Sequence, residues 1–189
     1  QLLLDEPNAF YSDPFDIVIS PKGNHAYISN SGVNIITVIN LKEIRALLKE
    51  STQEQLDIYS NHLGISSRYV IARIPTGANP KGLELSADGK YLYVAERLED
   101  RIAVINTETL QTERTISLGG PRKTTVARFG RQLLNNAGHT FQNQYACYTC
   151  HPDEHEDGLV YNMAASGMGR NMTNVRTLRD IGDIPPYKW

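Results

Sequence analysis

An internal repeat constrains the fold of this chain more than any other feature of its sequence. The segment 16–30 aligns with 82–96 at an offset of 66 residues. Apolar residues alternate with polar ones in both copies, as in strands with one buried face. Gly23 and Gly89 occupy equivalent short turns, where a tight hairpin favours a positive φ. Each copy is therefore predicted to form strand, tight turn, strand, short loop and strand.

A second alignment within the chain gives the length of the repeating unit. The segment 70–77 aligns with 112–119 at an offset of 42 residues, so the first copy carries an insertion of 24 residues after Asn40. A unit of about 42 residues with four strands has the size of a propeller blade. An unrelated antiparallel sheet is the alternative interpretation.

The insertion, at about residues 41–67, is predicted to be helical. Its first part places apolar residues on one helical face, and Asn40 with Glu43 has the spacing of a capping box. A second short helix is expected from Thr52 to His62, ending before Gly64.

The repeat also resembles a known family. The stretch 86–95, followed by 101–107, is similar to a YVTN-type β-propeller repeat, and 20–40 resembles it less closely. The resemblance implies two YVTN-like blades within residues 1–122. Because propellers close with about four to eight blades, we expect the chain to be part of a longer protein.

The only cysteines of the chain, Cys147 and Cys150, are followed directly by His151. In a Cys-x-x-Cys-His sequence, thiols one helical turn apart attach covalently to haem, and the histidine binds the iron as its proximal ligand. Three alternatives use the same residues: a thioredoxin-like thiol pair, a disulfide, and a zinc site that includes His155. The zinc pattern usually separates its two ligand pairs by about a dozen residues, and no βαβ unit surrounds the cysteines. Haem c is the favoured interpretation.

The residues around this motif resemble the bacterial dihaem cytochrome c peroxidase and MauG-like family. The stretches 131–136 and 141–153 are similar to its haem-binding entry, and 157–161, 169–179 and 185–189 are similar to later elements. The resemblance implies that 123–189 is the first part of a mainly α c-type cytochrome domain. The fold class expected for the chain is therefore multidomain, with incomplete all-β propeller blades followed by this haem domain.

Further haem contacts are predicted beyond the motif. By its position, Met168 corresponds to the distal ligand of the peroxidase relatives and is a possible sixth iron ligand, although methionines also fill gaps around a porphyrin. Arg170, with Arg176 and Arg179, could pair with haem propionates through its planar guanidinium group, or face solvent. His155 could bind a second metal if the helix continued past Pro152. No catalytic acid or base is identified.

These features predict an exported c-type cytochrome for electron transfer or peroxidase-like chemistry, with the propeller as a docking or cavity-forming module. Its partner would be a redox protein or a second haem domain, in a bacterial periplasm or outside the cell. An alternative is a haem-bearing or structural subunit of a larger redox assembly, similar to hydrazine synthase. The net charge of −2 argues against nucleic-acid binding, and no apolar run reaches the roughly 18 residues of a membrane span.

Overall fold

A computed structural model of the chain describes residues 2–121, 123–162 and 172–183. Its main feature is a pair of four-stranded antiparallel sheets, in which sequence neighbours lie side by side. The first sheet contains β1 (Pro14–Ile19), β2 (His25–Asn30), β3 (Ile35–Asn40) and β4 (Val70–Pro75). The second contains β5 (Pro80–Leu85), β6 (Tyr91–Glu96), β7 (Arg101–Asn106) and β8 (Gln111–Ser117).

The four-strand repeat predicted from the sequence is confirmed. Strands β1 to β3 correspond to β5 to β7 at an offset of 66 residues, and both hairpin glycines have positive φ, 64° at Gly23 and 72° at Gly89. The irregularities recur as well, because the register shifts between Pro14 and Ile17 and again between Pro80 and Leu83. The mostly β, propeller-like character of the chain follows from these two blades.

The insertion between β3 and β4 is helical, as predicted. It contains α1 (Leu41–Glu50), α2 (Gln53–Tyr59) and a 3-10 turn (Leu63–Arg68). Asn40 caps α1 by accepting a hydrogen bond from the backbone N–H of Lys42 at 3.0 Å, and not from Glu43. The reciprocal capping box is instead formed on α2, between Thr52 and Gln55.

Two clusters of buried apolar residues hold the blades and the insertion together. The first lies between the sheets and takes side chains from both: Tyr27, Ile36, Val38, Ile74, Leu83, Leu92, Val94, Ala103 and Ile105. The second lies between the opposite face of the first sheet and the insertion: Ala26, Ile28, Ile39, Leu47, Ile65 and Tyr69. Alternate residues of β2 and β3 therefore serve different cores, as the two faces of a strand require.

The residues after β8 form less helix than expected. Their described part contains α3 (Val126–Leu134), the single turn α4 (Cys147–Cys150), and the paired strands β9 (Val160–Asn162) and β10 (Met172–Asn174). The other helical segments among the described residues after β8 are 3-10 turns, at Ala137–His139, Phe141–Asn143, Pro152–Glu154 and Ile181–Asp183.

A mainly α haem domain is therefore not shown. Gln142, Asn143, Asp153 and Glu154 all have positive φ, which interrupts α-helix on both sides of α4. Within the described part of the chain, no helix has the length and apolar character needed to cross a bilayer.

Candidate functional site

The Cys-x-x-Cys-His sequence forms one closed helical turn. At its start, the hydroxyl of Thr149 accepts a hydrogen bond from the N–H of Ala146 at 3.0 Å, and Ala146 itself is fully buried. At its end, the N–H of His151 donates to the carbonyl of Cys147 at 3.0 Å. The thiols of Cys147 and Cys150 are free, the first exposed and the second half-buried. The turn therefore presents two unbonded thiols one helical turn apart.

The imidazole of His151 is held in one tautomer by the chain itself. Its Nδ1 lies 3.0 Å from the carbonyl oxygen of His155. Because a carbonyl oxygen only accepts, Nδ1 is the donor of this hydrogen bond, and Nε2 is the ring nitrogen left to bind a metal. This is the arrangement in which a histidine binds a metal through Nε2.

His155 does not share a helical face with His151, because the helix that this arrangement requires does not continue past Pro152. The helix α4 ends at Cys150, and Asp153 has a φ of 52°, so the chain turns away after Pro152. What His155 contributes is its backbone carbonyl. Across the described ranges 2–121, 123–162 and 172–183, no three His, Cys, Asp or Glu side chains are grouped as metal ligands.

Strand β9 adds a tyrosine beside the second thiol. The hydroxyl of Tyr161 donates to the carboxylate of Asp157 at 2.6 Å, and its oxygen lies 3.7 Å from the sulfur of Cys150. The hydrogen bond to Asp157, and then that from Cys150, raises the pKa of Tyr161. The same tyrosine hydrogen bond lowers the pKa of Asp157. Tyr161 lies in the stretch 157–161 that the sequence analysis compares with the haem family, but the sequence alone assigns no role to its side chain.

The turn packs against the blades through the two residues between its cysteines. Tyr148 accepts a hydrogen bond from the ammonium group of Lys81 on β5 at 3.2 Å. Thr149 donates to the carboxylate of Asp13, which immediately precedes β1, at 2.8 Å. We refer to Asp13, Lys81, Tyr148 and Thr149 as the blade seam.

Burial shapes the electrostatics of the blade seam. The ammonium of Lys81 lies 4.3 Å from the ring centroids of both Phe15 and Tyr148. Burial lowers the pKa of Lys81, Arg97 lowers it further, and Asp153 and Asp13 oppose this shift. Burial raises the pKa of Asp13, while the hydrogen bond from Thr149 and the charge of Lys81 oppose it.

A polar cleft of about 180 Å³ opens beside the blade seam. Its lining includes Arg97, Arg131, Asn135, Tyr148, Asp153 and Glu154. Arg131 forms an ion pair with Glu154 at 3.3 Å. The cleft lies between α3, the 3-10 turn Pro152–Glu154 and the second blade, so charged groups from three parts of the chain surround it.

Two of the predicted haem contacts, Met168 and Arg170, lie outside the described residues and stay predictions. Among the other arginines named with Arg170, Arg179 donates to the backbone carbonyl of Asp153 at 3.2 Å. The described part of the candidate site therefore consists of Cys147, Cys150 and His151, with Tyr161 beside it and the blade seam beneath it.

The fold and the candidate site define a protein with two consecutive propeller-type blades. A Cys-x-x-Cys-His turn packs on the surface of these blades. No protein-family model matches its sequence. Over 107 residues it is 36% identical to subunit beta of hydrazine synthase from Kuenenia stuttgartiensis, an alignment that covers 57% of this chain and 28% of that subunit. The chain therefore spans less than a third of the length of this relative.

A solved structure of hydrazine synthase shows the same similarity. The Kuenenia stuttgartiensis hydrazine synthase structure superposes with a TM-score of 0.54 at 36% identity, covering 55% of this chain and 30% of the other. The periplasmic gluconolactonase PpgL of Pseudomonas aeruginosa superposes with a TM-score of 0.41 at 21% identity, covering 58% of this chain and 27% of the other.

Proposed function

We propose that this chain belongs to a subunit of a hydrazine-synthase-like redox complex and carries a covalently attached haem c. The observation that carries the first part is the 36% identity to hydrazine synthase subunit beta over 107 residues. The second part is supported by the chemistry of Cys147, Cys150 and His151. This assignment favours an assembly subunit over an independent peroxidase-like cytochrome.

The residues present fit a haem c. Both thiols are free and stand on one helical turn, and the Nδ1–H of His151 is already donated to a backbone carbonyl. Cys147 and Cys150 would form the two thioether bonds, and Nε2 of His151 would bind the iron. The haem would supply a one-electron redox centre. Because such haems are attached outside the cytoplasm, the proposed location is a bacterial periplasm or the cell exterior.

The chain's own residues would orient this centre. The carbonyl of His155 fixes the imidazole plane, since the hydrogen bond at 3.0 Å restricts rotation of the ring. The cleft lined by Arg97 and Arg131 offers guanidinium groups next to the turn. Met168 as sixth ligand and Arg170 as propionate partner complete the proposal; a thioether ligand would raise the potential of an electron-transfer haem.

The haem assignment is tested by maturing the protein in a bacterial periplasm with haem-attachment machinery and measuring its denatured mass and absorption spectra. We expect a covalent mass addition that is lost when both cysteines are replaced by alanine. His151→Ala should change the reduced spectrum, whereas the matched variant His155→Ala should not, because it keeps the backbone carbonyl. A wild-type protein without covalent haem would overturn the assignment.

Membership of a complex is tested on the full-length protein from its native host. Native mass measurement after gentle purification should show a stable assembly with other redox subunits. A lone monomer that reduces peroxide by itself would contradict this part of the proposal.

A further inference from the structure

The haem-binding turn is held on the blades by side chains that no cysteine-histidine motif requires. Thr149 uses its single hydroxyl twice: it accepts from Ala146 N–H at 3.0 Å and donates to Asp13 at 2.8 Å. Since one of these bonds closes the start of α4, the carboxylate of Asp13 fixes the hydroxyl that shapes the turn.

Asp13 is itself placed by the first blade. Its backbone carbonyl accepts from both the N–H and the hydroxyl of Ser31, at 2.9 and 3.0 Å. Gly32 leaves room for the carboxylate, because a Cβ atom there would lie 2.5 Å from an oxygen of Asp13 and 2.5 Å from the hydroxyl of Ser12. The acceptor for Thr149 is therefore part of the blade and does not depend on the turn.

Lys81 supplies the second attachment and a positive charge. Lys81 is only 9% exposed. Its ammonium group lies between the rings of Phe15 and Tyr148 and donates a hydrogen bond to the Tyr148 hydroxyl at 3.2 Å. A lysine is rarely buried to this extent without partners. Phe15 belongs to the first blade and Tyr148 to the turn, so Lys81 contacts both sides of the interface between blade and turn.

Backbone bonds keep the segment before the turn against the same blade. The N–H of Ala137 donates to the carbonyl of Gly32 at 2.7 Å, and the N–H of Phe10 donates to the carbonyl of Gln142 at 3.2 Å. The cysteine-bearing segment is therefore attached at several points and is not a loosely tethered module.

We propose that Asp13 and Lys81 are positioning residues of the haem site, so that the propeller blades form part of the haem-binding apparatus. This inference rests on the proposed attachment of haem c to Cys147 and Cys150. The two side chains hold the turn in register and place opposite charges, a buried Lys81 and a half-buried Asp13, beside the turn that would hold the haem.

The two charges predict opposite effects on the haem. A nearby positive charge stabilises the reduced iron, and a nearby negative charge stabilises the oxidised iron. Removing the charge of Lys81 should therefore lower the reduction potential, and removing that of Asp13 should raise it. Simple loosening of the turn would expose the haem in both variants and shift both potentials in the same direction.

The experiment compares Lys81→Met and Asp13→Asn with the matched variants Lys90→Met and Asp88→Asn, whose side chains form an exposed pair in the β5–β6 hairpin. The fraction of chain with covalent haem, the Soret circular dichroism and the midpoint potential are measured. We expect roughly a threefold or larger change in the oxidation–reduction equilibrium at each blade-seam position, of opposite sign, and none in the matched variants.

The outcomes separate this inference from the proposed function. If the wild-type chain carries no covalent haem, the proposed function fails. If haem is attached and the potentials and the Soret circular dichroism of both variants stay unchanged, only the positioning role fails. Potentials that shift in the same direction would overturn the charge effect and leave the two residues with the role of holding the turn. Should a blade variant not fold, Thr149→Val removes the contact from the turn alone: it should lower haem attachment, and Thr149→Ser should restore it. Normal attachment in Thr149→Val would overturn the inference.

Discussion

Glu96 illustrates how single charged residues are accommodated at the ends of the second blade strands. Its side chain is 2% exposed, accepts from the N–H of Gly77 at 2.6 Å, and pairs with Arg101. The equivalent residue of the first blade, Asn30, is fully buried and accepts from Thr37 at 2.7 Å. Both copies therefore place a hydrogen-bonding side chain at this position, and only the second adds a charge.

Replacing Glu96 with glutamine should lower the free energy of unfolding by about 1 to 3 kcal/mol, because the buried carboxylate loses its charged hydrogen bonds with Gly77 N–H and Arg101, which keeps Glu99 as an ion-pair partner. Urea unfolding followed by circular dichroism measures the change. Glu84→Gln, an exposed glutamate on neighbouring β5, is the control and should have little effect. Equal stabilities for the two variants would contradict a stabilising role for the Glu96 ion pair.

Asp13 predicts a pH dependence whose sign follows from its environment. Burial raises the pKa of this carboxyl in the folded chain, so folding favours the protonated form. The associated stability is present below the unfolded pKa of about 4 and is lost as the pH rises through the higher folded pKa.

The comparison that isolates this group is wild type against Asp13→Asn, with unfolding free energies measured across that pH window. The wild type should lose stability relative to the variant as the pH rises. A difference between the two proteins that stays constant with pH, or grows in favour of the wild type, would contradict the assigned effect of burial.

At the scale of elements, local sequence patterns predict the strands correctly wherever the chain repeats itself. The offset of 66 residues placed β5 to β7 on β1 to β3, and the apolar spacing after Asn40 located the insertion helices. The spacing predicts a capping box at Asn40 and Glu43, whereas the structure has it at Thr52 and Gln55. An Asn-x-x-Glu spacing fits the box as well as Thr-x-x-Gln does, so the pattern alone does not decide between them.

Helix α2 should depend on its cap, since it has only seven residues and none of them is buried. Thr52→Ala removes the acceptor for the N–H of Gln55 and should destabilise the helix by about 1 kcal/mol. Amide hydrogen exchange over residues 53–59 should become faster, while exchange in the blades stays unchanged. Thr109→Ala, at an exposed turn position, is the matched control. Unchanged exchange over 53–59 would show that the cap does not limit local opening.

At the scale of the whole molecule, the motif could be predicted but its surroundings could not. The spacing of Cys147, Cys150 and His151 is local and identifies the turn. The contacts of Thr149 with Asp13 and of Tyr148 with Lys81 join residues 136 and 67 positions apart. Alternation of apolar residues determines which face a side chain occupies, but it does not show which distant segment lies on that face.

The two blades share one apolar core, so a cavity in this core should destabilise both of them. Leu92 is fully buried in a core that also contains Tyr27, Ile36 and Val38 of the other sheet. A cavity at this position therefore removes contacts from both blades, and neither sheet has a separate core on that side.

Leu92→Ala should lower the free energy of unfolding by about 2 to 5 kcal/mol, and it should do so for both sheets together. Hydrogen exchange of β2–β3 amides and of β6–β7 amides measures each blade separately, and both should accelerate by the same factor. Ile19→Ala, at a position 57% exposed on β1, is the control and should change stability by less than about 1 kcal/mol. If exchange accelerates only in the second sheet, the blades unfold independently and the shared core does not couple them. Equal acceleration in both sheets means that the first blade cannot keep its structure once the second has opened, because the side chains of Ile36 and Val38 lose the surface against which they pack.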